Sequence, residues 1–372
     1  MTGLGRRSGI SVRPMTPTVD RETLSVVIAP DEFGGTLSAV DAASAIADGW
    51  LSSRQADRVR LLPQSDGGPG FIAVLQAAGV ATVRPLRVPG PLGDPVDATI
   101  GYGADGTVYL EAAQACGLHL LGREPDPSSA RAATTAGVGT MLASAVASGA
   151  RRIVVGLGGS ATTDGGRGAV EELGGIGAAR ARMNGIDLVV ASDVDNPLLG
   201  PAGAAAVFGP QKGADPVTVQ DLESRLTDWA VTLGGAVASM PGAGAAGGLG
   251  AALLALGGRR RSGADVVAEA TGRRRELADA DVIVTGEGRY DEQTARGKVI
   301  AALAAEAGGT PVIVLAGQVR GTPDVVGVTA VRSLADFAGS VDAAMRSPRE
   351  MLAGLAAEVA RTVATIEGVM RE

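Results

Sequence analysis

A chain of 372 residues is long enough for two domains, because one hydrophobic core rarely grows beyond about 250 to 300 residues. Its 56 glycines, 45% hydrophobic content and 2% aromatic content imply a core of alanine, valine and leucine with many tight loops, which favours alternating strands and helices over an aromatic-stapled sandwich. A formal charge of −7 with no basic, aromatic-interleaved stripe argues against nucleic acid as a partner, and a lone Cys116 and a lone His119 exclude an intramolecular disulfide, histidine-pair metal sites and most serine-hydrolase triads.

Residues 1–22 carry arginines and prolines but no hydrophobic block, so a disordered tail is expected rather than a signal peptide or anchor, and the cytoplasm is the default location. Leu24 to Ala29 is an apolar run of strand length, followed by the loop PDEFGGT and a helical pattern from Leu37 to Leu51. Arg58 to Leu62 gives a second strand ending at PQSDGGPG, which sets Asp66 at a strand tip, and Phe71 to Ala78 reads as a helix. From Val83 to Glu111 the pattern changes to short strands with turn signals, so antiparallel pairing and a second domain are expected from near Pro85. Cys116 and His119, both in CGLHLL, read as core or near-core residues.

Arg131 to Ser148 leads into a helix, and the buried strand Ile153 to Gly156 runs into GLGGSATTDGGRG. Backbone amides bared by Gly158 and Gly159, the hydroxyls of Ser160 and Thr163, and the carboxylate of Asp164 make an anion nest with room for a metal. Asp187 to Ala191 reads as a strand, after which Asp193 and Asp195 stand two apart; at extended spacing they would point the same way and suit a magnesium ion, the alternative being an Asx turn before Pro197. Val217 to Ser239 and Leu249 to Leu256 read as helices. The G-x-G-x-x-G between them follows no strand and is not a dinucleotide fingerprint. The uncharged run Ala230 to Gly257 is broken by Pro241-Gly242 and reads as two buried helices, not a membrane span.

Val282 to Lys298, VIVTGEGRYDEQTARGK, reads as a short strand ending in a polar loop ahead of a helix from Val299 to Ala307. Strand carboxyl ends and helix amino ends open onto one crevice, and Glu287, Arg289, Asp291 and Lys298 bring groups suited to phosphate and metal. Only Lys212 and Lys298 are lysine among 33 basic residues, each beside a glycine, where a compact ammonium could fit among phosphates better than a guanidinium fork. Pro311 to Leu315 is a further strand, and Pro348 to Val369 closes the chain as a helix.

The strings GLGGSATTDGG, DVDNPLLG, VFGPQKGA, PGAGAAGGLGAAL and TGEGRYDEQTARGK, in this order, resemble the class I glycerate kinase family of glycerate 2-kinases, over Val26 to about Leu315. The resemblance implies two α/β domains: a flavodoxin-like doubly wound sheet from both chain ends (23–84 plus 281–372), and an inserted α/β domain of restriction-endonuclease-like topology (85–280). It also implies ATP-dependent phosphorylation of a hydroxyl of D-glycerate or a related small hydroxy acid, with magnesium; a homo-oligomer is possible and no membrane partner is implied. In that reading Lys298 and Lys212 hold phosphoryl or carboxylate oxygens, Asp193 with Asp164 or Asp66 holds the metal, and Asp291 or Asp66 serves the attacking hydroxyl. Gly158, Gly159, Ser160, Thr163, Glu287 and Arg289 complete the substrate and phosphate contacts. The family's usual first-loop lysine is Gly34 here, a usual glutamate is Pro69, and another is Thr140; all three are expected to face the cleft. The alternative is a catalytically impaired ligand-binding homologue on the same scaffold.

Overall fold

The computed structural model describes residues 23–292, 294, 299–321 and 324–369. The expected tail, residues 1–22, and Lys298 lie outside the described residues.

Two sheets organise the chain. The first contains β1 (Ser25–Ile28), β2 (Arg58–Leu61), β9 (Val282–Tyr290), β10 (Val312–Val319) and β11 (Val328–Ser333), in the order β11-β10-β9-β1-β2. Every pairing in it is parallel. Numbered within the sheet this is the 2-1-3-4-5 order of flavodoxin-like folds, whose switch point lies between β1 and β9. Alternation sorts the strand residues onto two faces. Val26, Ile28, Val282, Val284, Ile313 and Leu315 pack under the helices Ala39–Ser53 and Pro348–Val369. Val27, Ala29, Ile283 and Val312 pack against Leu277 and Leu303 on the other face.

The second sheet runs β3 (Ala81–Pro89), β4 (Pro95–Gly103), β5 (Thr107–Glu111), β6 (Arg152–Gly156), β7 (Asp187–Ala191), β8 (Arg259–Arg261) in that order. The β3–β4–β5 pairs are antiparallel and the rest parallel. One face, with Ile100, Leu110, Ile153, Val155, Leu188 and Val190, carries the largest core of the molecule. The other face holds Tyr109, Val154 and Val189 and is covered by Phe71, Ile72 and Leu75 of the helix Phe71–Ala77, together with Val266 and Val267.

Local chemistry sets the element ends. The Ser38 hydroxyl accepts from the Asp41 amide to start the first helix. Asp215 caps the helix Pro216–Leu233, which stops at Gly234 with φ of 104° rather than continuing to Ser239. The stretch Thr285–Gly288, expected as loop, is a continuation of β9: Glu287 and Arg289 are in register with Ala316 and Gln318 of β10. His119, expected near the core, is exposed, because the chain leaves helical geometry at Gly117 and enters a short 3-10 turn, Leu118–Leu121, while Cys116 is fully buried as expected.

The helices Ala39–Ser53 and Pro348–Val369 pack so closely at Gly49 that a Cβ there would lie 2.0 Å from the Ala353 carbonyl oxygen. Gly49→Ala gains about 1 kcal/mol of helix propensity, but a clash with backbone cannot be relieved by a rotamer change. The variant should therefore lose about 1–3 kcal/mol in urea unfolding with an unchanged m-value.

Candidate active site

The C-terminal tips of β1, β2, β9 and β10 open onto a cleft of about 830 Å³, to which the segment after β7 adds Asp193 and Val194. The tips of β1 and β9 stay coupled beyond the regular ladder. Ala29 N donates to Val284 O (2.7 Å), Asp31 N to Gly286 O (2.8 Å) and Gly288 N to Glu32 O (3.2 Å). Such proximity demands glycine: a Cβ on Gly286 would lie 2.4 Å from Leu315 O, and one on Gly317 would lie 2.5 Å from Gly288 O.

Six carboxylates line this cleft, Asp31, Glu32, Asp66, Asp193, Glu287 and Asp291, facing one cation among the described residues, Arg289. Burial raises the proton affinity of three of them. Asp31 is pushed well above the ordinary carboxylate range by burial and then by the Asp66 charge. Glu32 is raised by burial, with Asp66 and Glu111 adding to it. Glu287 is raised to about 7 by burial, against a hydrogen bond from the Thr294 hydroxyl at 2.5 Å that holds its Oε1 and with Asp291 pushing further upward. Thr294 Oγ1 also accepts from the Asp291 amide at 3.0 Å, so one hydroxyl fixes both acidic positions.

The cleft thus gathers Asp66, Asp193, Glu287, Arg289 and Asp291 from the residues singled out in the sequence, and it adds Asp31 and Glu32. The signal that could have found these two was their place at the tip of β1, the strand at the switch point. Asp195 departs from expectation: it pairs with Arg260 at 2.6 Å on the surface. The strand ends at Ala191, so the period-two rule no longer governs residues 193 and 195.

The glycine loop after β6 is held by a network of its own. Asp164 Oδ2 accepts from the amides of Thr135 and Gly168 and from the Thr135 hydroxyl, and Oδ1 accepts from the Gly166 amide. It lines a separate cavity of about 190 Å³ together with Thr163. Lys212 is buried, and its Nζ donates to Ser160 Oγ at 3.0 Å and Thr162 O at 2.6 Å. Burial pulls that ammonium down to about 8. Gly158 and Gly159 serve as packing surfaces: a Cβ on the first would lie 2.6 Å from Gly68 Cα, and one on the second 2.7 Å from Pro69 Cγ.

Of the three departures from the family pattern, Gly34 lines the cleft, with φ of 53° and no atom within 4 Å of where its Cβ would be. Pro69 packs on Gly159, and Thr140 donates to Glu172 Oε1 at 3.3 Å; neither lines the cleft, contrary to expectation.

Fold and cleft together define a two-sheet α/β enzyme whose acidic site lies at the switch point of a parallel sheet. Residues 26–179 and 176–364 match the model of the glycerate kinase family. The chain is 38% identical over 312 residues to the glycerate 2-kinase of Escherichia coli, covering 76% of this chain and 81% of that one. It is 40% identical to a glycerate kinase of Halalkalibacterium halodurans over 320 residues, 77% and 84% of the two chains. An uncharacterized Mycobacterium bovis protein, Mb2228c, is 53% identical over 347 residues, 91% of each chain. A crystal structure from Salmonella typhimurium LT2, provisionally named glycerate kinase 2, superposes with a TM-score of 0.74 at 34% identity, covering 93% of this chain and all of the other. The chain belongs to the glycerate kinase family and is a kinase, a transferase. Among the described residues no helix is long and apolar enough to cross a membrane.

Two predictions follow from this geometry. A carboxyl group whose folded pKa is raised gives stability that is fully present below its unfolded value and is lost as pH rises through the folded value. The melting temperature of the ligand-free protein should therefore fall between about pH 4.5 and about pH 7, and Glu287→Gln should flatten that slope. Asp164→Ala should cost about 1–3 kcal/mol in urea unfolding by stranding the amides of Thr135 and Gly168.

Proposed function

We propose that this enzyme transfers the terminal phosphoryl group of ATP to a hydroxyl of D-glycerate or a closely related small hydroxy acid, with magnesium, in the cleft at the tips of β1, β2 and β9. The single observation that carries the reading is the cleft itself: six carboxylates and one described cation, at the switch point of a parallel sheet, in a chain of the glycerate kinase family. Phosphoryl transfer needs alignment and charge neutralisation more than a covalent protein intermediate, and the cleft's residues suit both needs.

The donor set fits a hard cation, being all oxygen and bearing more negative charge than its surroundings neutralise. Among the described residues no three acidic, histidine or cysteine side chains are grouped closely enough to hold an ion by themselves. Magnesium is commonly held by one or two carboxylates with water and substrate phosphates completing the shell. Asp66 and Asp193 would supply those carboxylates, and the ion, when bound, neutralises charge on the phosphate oxygens. Arg289 would hold a phosphoryl or substrate carboxylate oxygen. Lys298 is proposed to bind the transferring phosphoryl group.

Glu287 has the strongest case as acceptor of the hydroxyl proton, since a base works best when its proton affinity lies near the working pH, and burial sets it at about 7. Thr294 orients it. Asp291 lines the same cleft and keeps that affinity high through its charge.

A coupled ADP-release assay with D-glycerate and related hydroxy acids, with and without magnesium, tests the reading. Turnover should require all three components, and Lys298→Ala should lower kcat on the order of a hundredfold or more. Ligand-induced thermal stabilisation with no turnover on any hydroxy acid would instead favour the binding protein that Gly34 suggests, because the space beside it lacks the cation a lysine would bring.

A further inference from the structure

The cavity that Thr163 and Asp164 line, of about 190 Å³, shares no lining residue with the cleft. Three arginines line it, one from each of three helices: Arg131 from Pro127–Ala132, Arg167 from Arg167–Glu172 and Arg225 from Pro216–Leu233. One carboxylate oxygen, Asp221 Oδ2, serves two of them, accepting from Arg131 Nε at 3.1 Å and pairing with Arg225 Nη2 at 3.1 Å. Arg225 Nη1 also donates to the Arg131 carbonyl oxygen at 3.2 Å. Arg167 has no acceptor for its side chain among the described residues: its guanidinium carbon stands 4.9 Å from the centre of the Trp229 ring, which is itself fixed by donation from its Nε1 to Gly165 O at 2.9 Å. Thr163, only 2% exposed, adds a hydroxyl with no hydrogen-bond partner among the described residues. Two carboxylates also line the cavity. Asp164 is saturated by its four hydrogen bonds, and Glu171 is exposed.

From this set we infer that the cavity is a binding site for a small oxyanion, a phosphate or carboxylate group, with Arg131, Arg167 and Arg225 as its donors. The site lies apart from the reaction cleft and does not depend on the kinase reading. A guanidinium presents its N–H donors in a planar fork that matches an oxyanion, and those of Arg167 are unspent on the protein. Contacts with Asp221 and Trp229 already fix the three side chains, so little rotamer freedom is left to lose when an anion arrives. Pockets for drug-sized ligands run from about 300 Å³ upward, so a cavity of about 190 Å³ suits a group smaller than a nucleotide. The lone Thr163 hydroxyl points the same way, because buried polar groups are ordinarily paired. Glu171 opposes an anion by its charge, so removing that charge should act in the opposite sense to removing an arginine.

Isothermal titration calorimetry of the full-length protein with inorganic phosphate, and separately with malonate, tests the assignment and tells the two kinds of oxyanion apart. At least one should bind, and Arg167→Gln and Arg225→Gln should each weaken that binding about tenfold, the loss expected when a charge-assisted hydrogen bond is removed. Glu171→Gln should tighten the same binding about two- to fivefold. Arg289→Gln, in the cleft, should change it by less than about twofold, because distant sites act independently. Failure of the wild-type protein to bind either anion at millimolar concentrations would overturn the assignment. So would binding that Arg289→Gln abolishes and Arg167→Gln spares, which would belong to the cleft. Should an arginine variant fail to fold, Glu171→Gln decides alone: its position is exposed, and an unchanged affinity there would remove the site.

Discussion

The arrangement of the cleft depends on one crossing loop, residues 63–70, where backbone meets backbone without side chains between. A Cβ on Gly263 would lie 1.7 Å from the Asp66 carbonyl oxygen, one on Gly156 would lie 2.5 Å from Gly67 O, and one on Gly158 would lie 2.6 Å from Gly68 Cα. These approaches clamp the loop after β2 of the first sheet onto the tips of β6 and β8 of the second. They fix Asp66, from one sheet, beside the same space that Asp193 reaches from the other. Arg273 reinforces the clamp from beneath: fully buried, it donates to Gln64 Oε1 at 2.9 Å and pairs with Glu306 at 2.9 Å. Glu111 does the same from the side, its carboxylate accepting from the amides of Gly70 and Ile72 at the start of the next helix.

The cleft carries the opposite kind of energetics. Burial raises the proton affinities of Asp31, Glu32 and Glu287, and neighbouring acids push in the same direction, so keeping them together opposes folding at neutral pH. Some acids outside the cleft are placed to gain: Arg54 and Trp50 lower the affinity of Asp57, and Arg259 that of Asp187, although burial opposes both. The cleft gathers three such acids in one place, as functional sites commonly do.

Sequence pattern made the architecture legible wherever hydrophobic periodicity was strong. The parallel strands β1, β6, β7 and β10 carry continuous Val, Ile and Leu runs and are recognisable as buried. Three strands were not legible. β8 is Arg259–Arg261, three charged residues at a sheet edge paired with β7, and β11 is a half-buried segment of mixed polarity. The extension of β9 is hidden by glycines that usually signal a turn, yet here permit β10 and the β1 loop to approach. The site was half legible for a related reason. Carboxylates at strand tips could be read from the sequence, but whether a tip faces the cleft depends on where regular structure stops, as Asp193 and Asp195 show.

Lys212 carries that lesson furthest. In a chain that uses arginine almost everywhere, Lys212 places a narrow ammonium in a fully enclosed space. Its partners in the structure are Ser160 Oγ and Thr162 O, so the ammonium pins the glycine loop. Asp164 pins the same loop from its other side, through Thr135 and three amides. A loop rich in glycine would otherwise be free to sample many backbone states, at about 1–2 kcal/mol of conformational entropy per residue fixed. A buried lysine and a saturated aspartate hold it in one, and the loop so held presents Gly158 and Gly159 as the flat surface on which Gly68 and Pro69 rest. Lys212, Asp164, Gly158 and Gly159 thus support the loop that sets Asp66 in place.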